Sequence, residues 1–238
     1  MESLRVFDNS ELIAKEIASQ LKGYADQAEK EGNIFSIVLS GGSSGTRLCG
    51  EFAKRSSVNK IPWHIVHFFW ADERCVSPEN EESNYGTCRS ILLDHISIPK
   101  ENIHRIRGEE DPLKESVRYA GEIQNHMEFR KRQPNLFDWV FLGVGADGHT
   151  ASLFSGHESL GSSNLCEMVR HPQTGQIRVT MTPFAIRQSN RITYHVIGRG
   201  KSDIIFKLAS KIEDSKKYPA SHISGEWYLD SDAASKIS

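Results

Sequence analysis

Asp147 and His149 stand two residues apart in Gly143-Val-Gly-Ala-Asp-Gly-His-Thr150, directly after the apolar run Trp139-Val-Phe-Leu142. Three glycines give that segment turns and room for close approach. A purely structural turn has no use for an acid and a histidine among them, but proton transfer does. Asp147 can orient and polarise His149, which then acts as a general base. Histidine's reference pKa, about 6.5, suits proton transfer near neutrality. The plainer alternative is a histidine that caps a helix or packs on a sheet; the acid two residues away in a glycine loop favours catalysis. Read mechanically, Gly143-x-Gly145-x-x-Gly148 also matches a dinucleotide fingerprint. That match fails, because Asp147 would repel the pyrophosphate and no ribose-binding acid follows on a later strand.

Two other segments carry anion-binding chemistry. Ser40-Gly41-Gly42-Ser43-Ser44-Gly45-Thr46 follows the apolar run Ile34–Leu39 and precedes a helix. Its backbone N–H groups and the helix start can cradle a phosphate, although no Walker-type Gly-Lys-Ser/Thr closes it. A flexible Gly/Ser turn is the equal alternative. Asp72-Glu73-Arg74 follows Phe68-Phe-Trp70, and Arg74 can grip a phosphate or carboxylate through its planar fork; the alternative is a solvated charge cluster. Lys201, after Gly198-Arg-Gly, opens a helix as either a second phosphate ligand or a surface lysine. His64 and His67, three apart on an expected strand, point to opposite faces and cannot share a metal. Ser221 and His222 form no convincing hydrolase pair, and no G-x-S-x-G elbow is present.

The elements that must position these residues alternate. Helices are expected over residues 9–30, with Asp8 and Glu11 as a capping box and Leu12, Ile13, Ile17, Leu21 and Tyr24 at helical spacing. Further helices are expected over 46–55, Ser83–Leu93, Pro112–Arg132 and Lys201–Lys211. Strands are expected at Ile34–Leu39, His64–Trp70, Phe137–Leu142, Ile177–Met181, Ile192–Ile197 and Trp227–Leu229. Several are continuously apolar, which argues for an α/β fold with a mostly parallel sheet covered on both faces. Ligands bind at the carboxyl ends of such strands, where the three polar segments lie. Residues 155–176 read as a long loop without periodicity.

The chain has 238 residues, 38% of them hydrophobic and 25% charged, with a formal net charge of −2. That balance gives no sign of a nucleic-acid partner. The four cysteines show no C-x-x-C pair, so neither a zinc pattern nor a disulfide framework is indicated. Scattered thiols fit the cytoplasm. The N-terminus shows no secretory signal, and no apolar run reaches the roughly 18 residues a membrane helix needs.

Taken together, the blocks resemble the 6-phosphogluconolactonase family. The resemblance rests on Ser40-Gly-Gly-Ser43, Trp70-Ala-Asp-Glu-Arg74 with Ser83-Asn-Tyr85, and Gly143–Phe154. It extends through Arg178-Val-Thr-Met-Thr-Pro183, Ile197-Gly-Arg-Gly-Lys201 and Pro219-Ala-Ser221, in family order. Where the family commonly has Thr-Pro after S-G-G-S, this chain has Ser44-Gly45; where a Pro commonly follows Leu-Phe, it has Ser155. The resemblance implies a Rossmann-like, doubly wound sheet in one domain over 1–238, shared with the glucosamine-6-phosphate deaminases. It implies hydrolysis of 6-phospho-D-glucono-1,5-lactone with no metal or organic cofactor. By resemblance His149 activates water beside Asp147, and Arg74 and Lys201 hold the phosphate and developing negative charge. Gly41, Gly42 and Ser43 line the phosphate loop, with Asp72 at the substrate. The expected partner is the small sugar-phosphate lactone, with no nucleic acid or membrane, acting on a monomer or weak homo-oligomer. A deaminase/isomerase on glucosamine 6-phosphate and a non-catalytic sugar-phosphate sensor are the alternatives.

Overall fold

The computed structural model describes residues 3–54, 60–130, 135–210 and 217–237. Its strands are β1 (Ser3–Phe7), β2 (Phe35–Leu39), β3 (Val66–Trp70), β4 (Asp72–Arg74), β5 (Ile103–His104), β6 (Phe137–Leu142), β7 (Cys166–Arg170), β8 (Ile177–Met181), β9 (Ser189–Val196) and β10 (Glu226–Asp230). The helices are α1 (Ser10–Lys30), α2 (Gly42–Phe52), α3 (Asn84–Ile91), α4 (Pro112–Phe129), α5 (Pro183–Ile186) and α6 (Ser202–Ala209).

Seven strands form one sheet in the order β1-β10-β9-β6-β2-β3-β5. All of its pairings are parallel. The chain steps outward from β2 to β3 and β5, then returns to the other side of β2 with β6. Strand order therefore reverses between β2 and β6, and a doubly wound sheet opens its ligand crevice at that point. Every residue of β2, β3 and β6 is buried, as strands covered on both faces must be. On one face Phe52 of α2 packs on Phe141 and Trp63, and Trp63 packs on Phe68. On the other, His126 of α4 packs on His67 and Phe69. Farther along α4, the Tyr119 hydroxyl accepts from the Trp70 N–H at 2.9 Å and donates to the Trp70 carbonyl at 3.0 Å, pinning the end of β3.

A second, antiparallel sheet, β4-β8-β7, lies beyond the carboxyl end of β3. It corrects two expectations and adds a strand. Ile177–Met181 is a strand, but outside the main sheet. Asp72–Arg74, expected only as the polar end of the preceding strand, is a short strand of its own. The segment 155–176 is not aperiodic throughout, since it contains β7; Glu167 and Arg170 blurred the alternation.

Local boundaries also shift. The cap of α1 is Asn9, whose side chain accepts from the Leu12 N–H at 3.0 Å. Glu11 instead pairs with Lys15 and Lys54, so no Asp8/Glu11 box forms. The buried face of α1 runs Ile13, Ile17, Leu21, Ala25, with Leu12 and Tyr24 outside it. Helix α2 begins four residues earlier than expected, its first turn hidden in the Gly/Ser segment. His64 lies in a 3-10 turn before β3 rather than on the strand. Edge strands β1 and β5 were not anticipated. The expected helix ends at Arg55, Arg132 and Lys211 fall outside the described residues. No helix among the described residues is long and apolar enough to cross a membrane.

Candidate active site

The Gly/Ser segment folds into the first turn of α2. Gly42 adopts a φ of +70°, a left-handed conformation that favours glycine. At Gly41 a Cβ would stand 1.8 Å from the Asn84 side-chain oxygen, so the close approach of α3 requires glycine. Gly41 is also the helix cap and offers no side chain to the first-turn N–H groups. Those donors, at the positive end of the helix dipole, are left for an anionic ligand.

Strand alternation divides the Asp-Glu-Arg run. Glu73 points away from its neighbours and accepts from the Asn84 and Tyr85 N–H groups, both at 2.8 Å, and from Ser83 Oγ at 3.0 Å. It thereby fixes the start of α3, and burial raises its pKa. Asp72 is buried and accepts from Ser152 Oγ at 2.6 Å, while Asn84 Nδ2 donates to its carbonyl at 2.9 Å. Arg74 donates through Nη1 to the Glu82 carbonyl at 2.7 Å, and its buried Nε has no hydrogen-bond partner among the described residues.

The loop after β6 is pulled tight. The Gly145 N–H donates to the His149 carbonyl at 2.8 Å, and Thr150 Oγ1 donates to the Gly143 carbonyl at 2.8 Å. Inside this turn His149 Nδ1 meets Asp147 Oδ1 at 2.6 Å. That hydrogen bond holds the Asp147 carboxyl down at about 2. An ionised carboxylate only accepts, so the proton sits on Nδ1 and the lone pair of a neutral His149 sits on Nε2. Lys201 stands at the start of α6, where burial pushes its pKa down and Asp147 opposes the shift.

These pieces enclose one cavity of about 170 Å³. Gly41, Gly42, Ser43, Asp72, Arg74, His149 and Lys201 all line it. Asp147 stands behind His149. The expected site residues, drawn from four segments of the chain, therefore meet at the switch point between β2 and β6. Asn84, Ala151 and Arg178 also line the cavity, although no role was expected of them. Ser152, likewise not anticipated, links Asp72 at 2.6 Å to Arg178 Nη1 at 3.4 Å. Arg178 is buried; desolvation lowers its pKa and Asp72 opposes this. Its position on β8 could have been a signal: an Arg beside Val179, Thr180 and Met181 is an unusual charge in a buried strand. Three cations thus face a cavity whose only lining carboxylate among the described residues is Asp72, an arrangement that favours an anion.

A family model described as glucosamine-6-phosphate isomerases/6-phosphogluconolactonase matches residues 8–229. The chain belongs to this family. Within it, the chain is 44% identical over 203 residues to the 6-phosphogluconolactonase of Aggregatibacter actinomycetemcomitans, covering 83% of this chain and 85% of that one. The crystal structure of a devB protein superposes with a TM-score of 0.92 at 39% identity, covering 100% of both chains. A monomeric glucosamine-6-phosphate deaminase superposes with a TM-score of 0.82 at 18% identity, covering 98% of this chain and 99% of that one. Both branches of the family therefore share the fold, and fold alone does not separate them.

Proposed function

We propose that this chain hydrolyses 6-phospho-D-glucono-1,5-lactone to 6-phospho-D-gluconate. The observation that carries the reading is the His149–Asp147 pair opening on the same cavity as Arg74, Lys201 and the free start of α2. The 44% identity to a 6-phosphogluconolactonase supports the lactonase branch over the deaminase branch.

The dianionic phosphate sits at the N-terminus of α2, between Arg74 and Lys201. Holding that end fixes the lactone carbonyl beside His149, and such positioning supplies much of the rate. His149 Nε2 takes a proton from water as the oxygen attacks C1. Negative charge moves to the carbonyl oxygen, where Arg74 and backbone N–H groups stabilise it. The tetrahedral intermediate then expels the ring oxygen, which takes the proton back from the imidazolium. Asp147 stays ionised throughout and keeps the ring in its Nδ1–H tautomer. A lactone is reactive enough that no covalent nucleophile is needed. Gly41, Gly42 and Ser43 shape the phosphate loop, and Asp72 borders the substrate.

Every group in this scheme comes from one α/β domain, and the working unit is a monomer or a weak homo-oligomer. Four unpaired cysteines, three of them buried, support a reducing, cytoplasmic setting. The test generates the lactone with glucose-6-phosphate dehydrogenase and follows its decay with and without the protein. Acceleration well above spontaneous hydrolysis is expected. Ammonia release from glucosamine 6-phosphate would place the chain in the deaminase branch, and tight binding without turnover would make it a sensor.

A further inference from the structure

Three histidines converge on the face of the sheet under α4. His67 comes from β3, His104 from edge strand β5 and His126 from the last turn of α4. One nitrogen from each ring lies within 4.8 Å of the other two. The ring centroids form a near-equilateral triangle, with sides of 5.2, 5.0 and 5.3 Å. His67 Nδ1 and His104 Nε2 are already 2.9 Å apart. His126 is 4% exposed, and its buried Nε2 has no hydrogen-bond partner among the described residues. A buried, unpartnered imidazole nitrogen is costly, and neither catalysis nor packing explains why it is kept.

We propose that His67, His104 and His126 bind a late first-row divalent cation of the zinc type. Imidazole nitrogens suit Zn²⁺, Cu²⁺ and Ni²⁺, and three of them leave one tetrahedral position for water. Nitrogens around tetrahedral zinc stand roughly 3.3 Å apart, given Zn–N bonds of about 2.0–2.1 Å. The His67–His104 pair, hydrogen-bonded at 2.9 Å, would open slightly to that spacing, and the His126 nitrogen, within 4.8 Å of both, would close on it. The outer contacts suit the purpose. His104 Nδ1 meets Glu122 Oε1 at 2.9 Å, the carboxylate–histidine arrangement that presents the opposite nitrogen to a metal. Phe69 stacks on the His104 ring at 4.3 Å and holds its plane.

The charges around the cluster are compatible. Glu122 adds a negative charge and is shared with Arg118. Arg130, the other nearby cation, is paired with Asp138 at 2.6 Å. Burial holds His67 down at about 4 and His126 at about 2, so both keep a lone pair at neutral pH. The cluster lies away from the reacting groups. Tyr119 sits under the carboxyl end of β3, and His126 lies two helical turns farther along α4, roughly 10 Å at 1.5 Å per residue. A metal here ties the two-residue strand β5 and the end of α4 to β3, and its role is structural.

The test uses the whole chain, stripped with a chelator and titrated with Zn²⁺ by calorimetry. One zinc per chain is expected, with micromolar or tighter affinity and a melting temperature raised by roughly 5 °C at saturation. His126→Phe, which keeps a ring in the core, should weaken binding at least about 100-fold, and Glu122→Gln about 10-fold. His149→Ala should bind zinc unchanged. In a zinc-soaked crystal the anomalous peak should fall between the three rings, which decides the matter even if His126→Phe does not fold. No uptake at 100-fold molar excess, binding that survives His126→Phe, or a peak only at His149 or a cysteine would overturn the proposal.

Discussion

Gly145 lies directly against His149: a Cβ there would come within 2.2 Å of the imidazole Nδ1 and 2.5 Å of Asp147 Oδ1. The absent side chain is therefore what lets the acid and the base meet inside so short a loop. Gly145→Ala must push the ring away from its partner. A displacement of about 1 Å costs on the order of 100-fold in rate. The expected result is a kcat lowered about 100-fold with KM little changed, because the phosphate contacts lie elsewhere. Steady-state kinetics on the coupled assay read both parameters, and normal kcat in the folded variant would contradict the geometry.

The pair itself allows a sharper comparison. His149→Ala removes the proposed base and should abolish most turnover while leaving the fold intact by circular dichroism. Asp147→Asn keeps the shape but offers an amide where the ring needs an acceptor, so the wrong tautomer becomes favoured. Loss of roughly 100-fold or more is expected, smaller than for His149→Ala. If Asp147→Asn lowered activity less than about 3-fold, Asp147 would be a spectator.

How much of this was legible beforehand depends on what sets each position. The ends of β2, β3 and β6 could be read because fully buried parallel strands are continuous apolar runs, and chemistry at their ends stands out. Asp147 and His149 could be read because their partnership is local. The roles of Arg178 and Ser152 could not, because Asp72 is far away in sequence: the β4-β8 pairing brings Arg178 near it, and the segment after β6 brings Ser152 to it. The histidine triangle was hidden for the same reason. In sequence the histidine nearest His67 is His64, whereas its neighbours in space lie on β5 and α4.

Ser152 supplies a prediction about this hidden layer. Its hydroxyl is buried and donates to Asp72 at 2.6 Å. Ser152→Ala leaves the buried carboxylate with one partner fewer. The expected cost is about 1–3 kcal/mol in urea unfolding. Binding should weaken too, since Asp72 and Arg178 both line the cavity. An unchanged urea midpoint with unchanged KM would show that the link holds neither the fold nor the site.

Acid should destabilise the fold earlier than its carboxylates alone would require. Burial holds His67 and His195 at about 4 and His126 at about 2. Unfolded, each binds a proton near pH 6.5. Between pH 6.5 and about 4 the unfolded state therefore carries more protons, so stability is complete above 6.5 and falls as pH drops through that window. The upper limit is about 1.4 kcal/mol per pH unit for each histidine that stays neutral in the fold. Urea melts in the presence of chelator at pH 7 and pH 5 should show the loss, whereas equal stability at both would mean these rings are protonated in the folded chain.

Lys201 tests whether the cavity reads the phosphate. It is half-buried, with no ion pair or hydrogen bond among the described residues, and desolvation presses on its charge. A cation held in that state gains most when an anion arrives. Lys201→Ala should raise KM for the phosphorylated lactone about 10-fold or more and lower kcat less, since the reacting groups remain in place. With 1,5-gluconolactone, which carries no phosphate, the variant and the parent chain should behave alike. The same defect on both substrates would instead place Lys201 at the carbonyl, as a donor to the oxyanion, and leave Arg74 and the start of α2 to hold the phosphate.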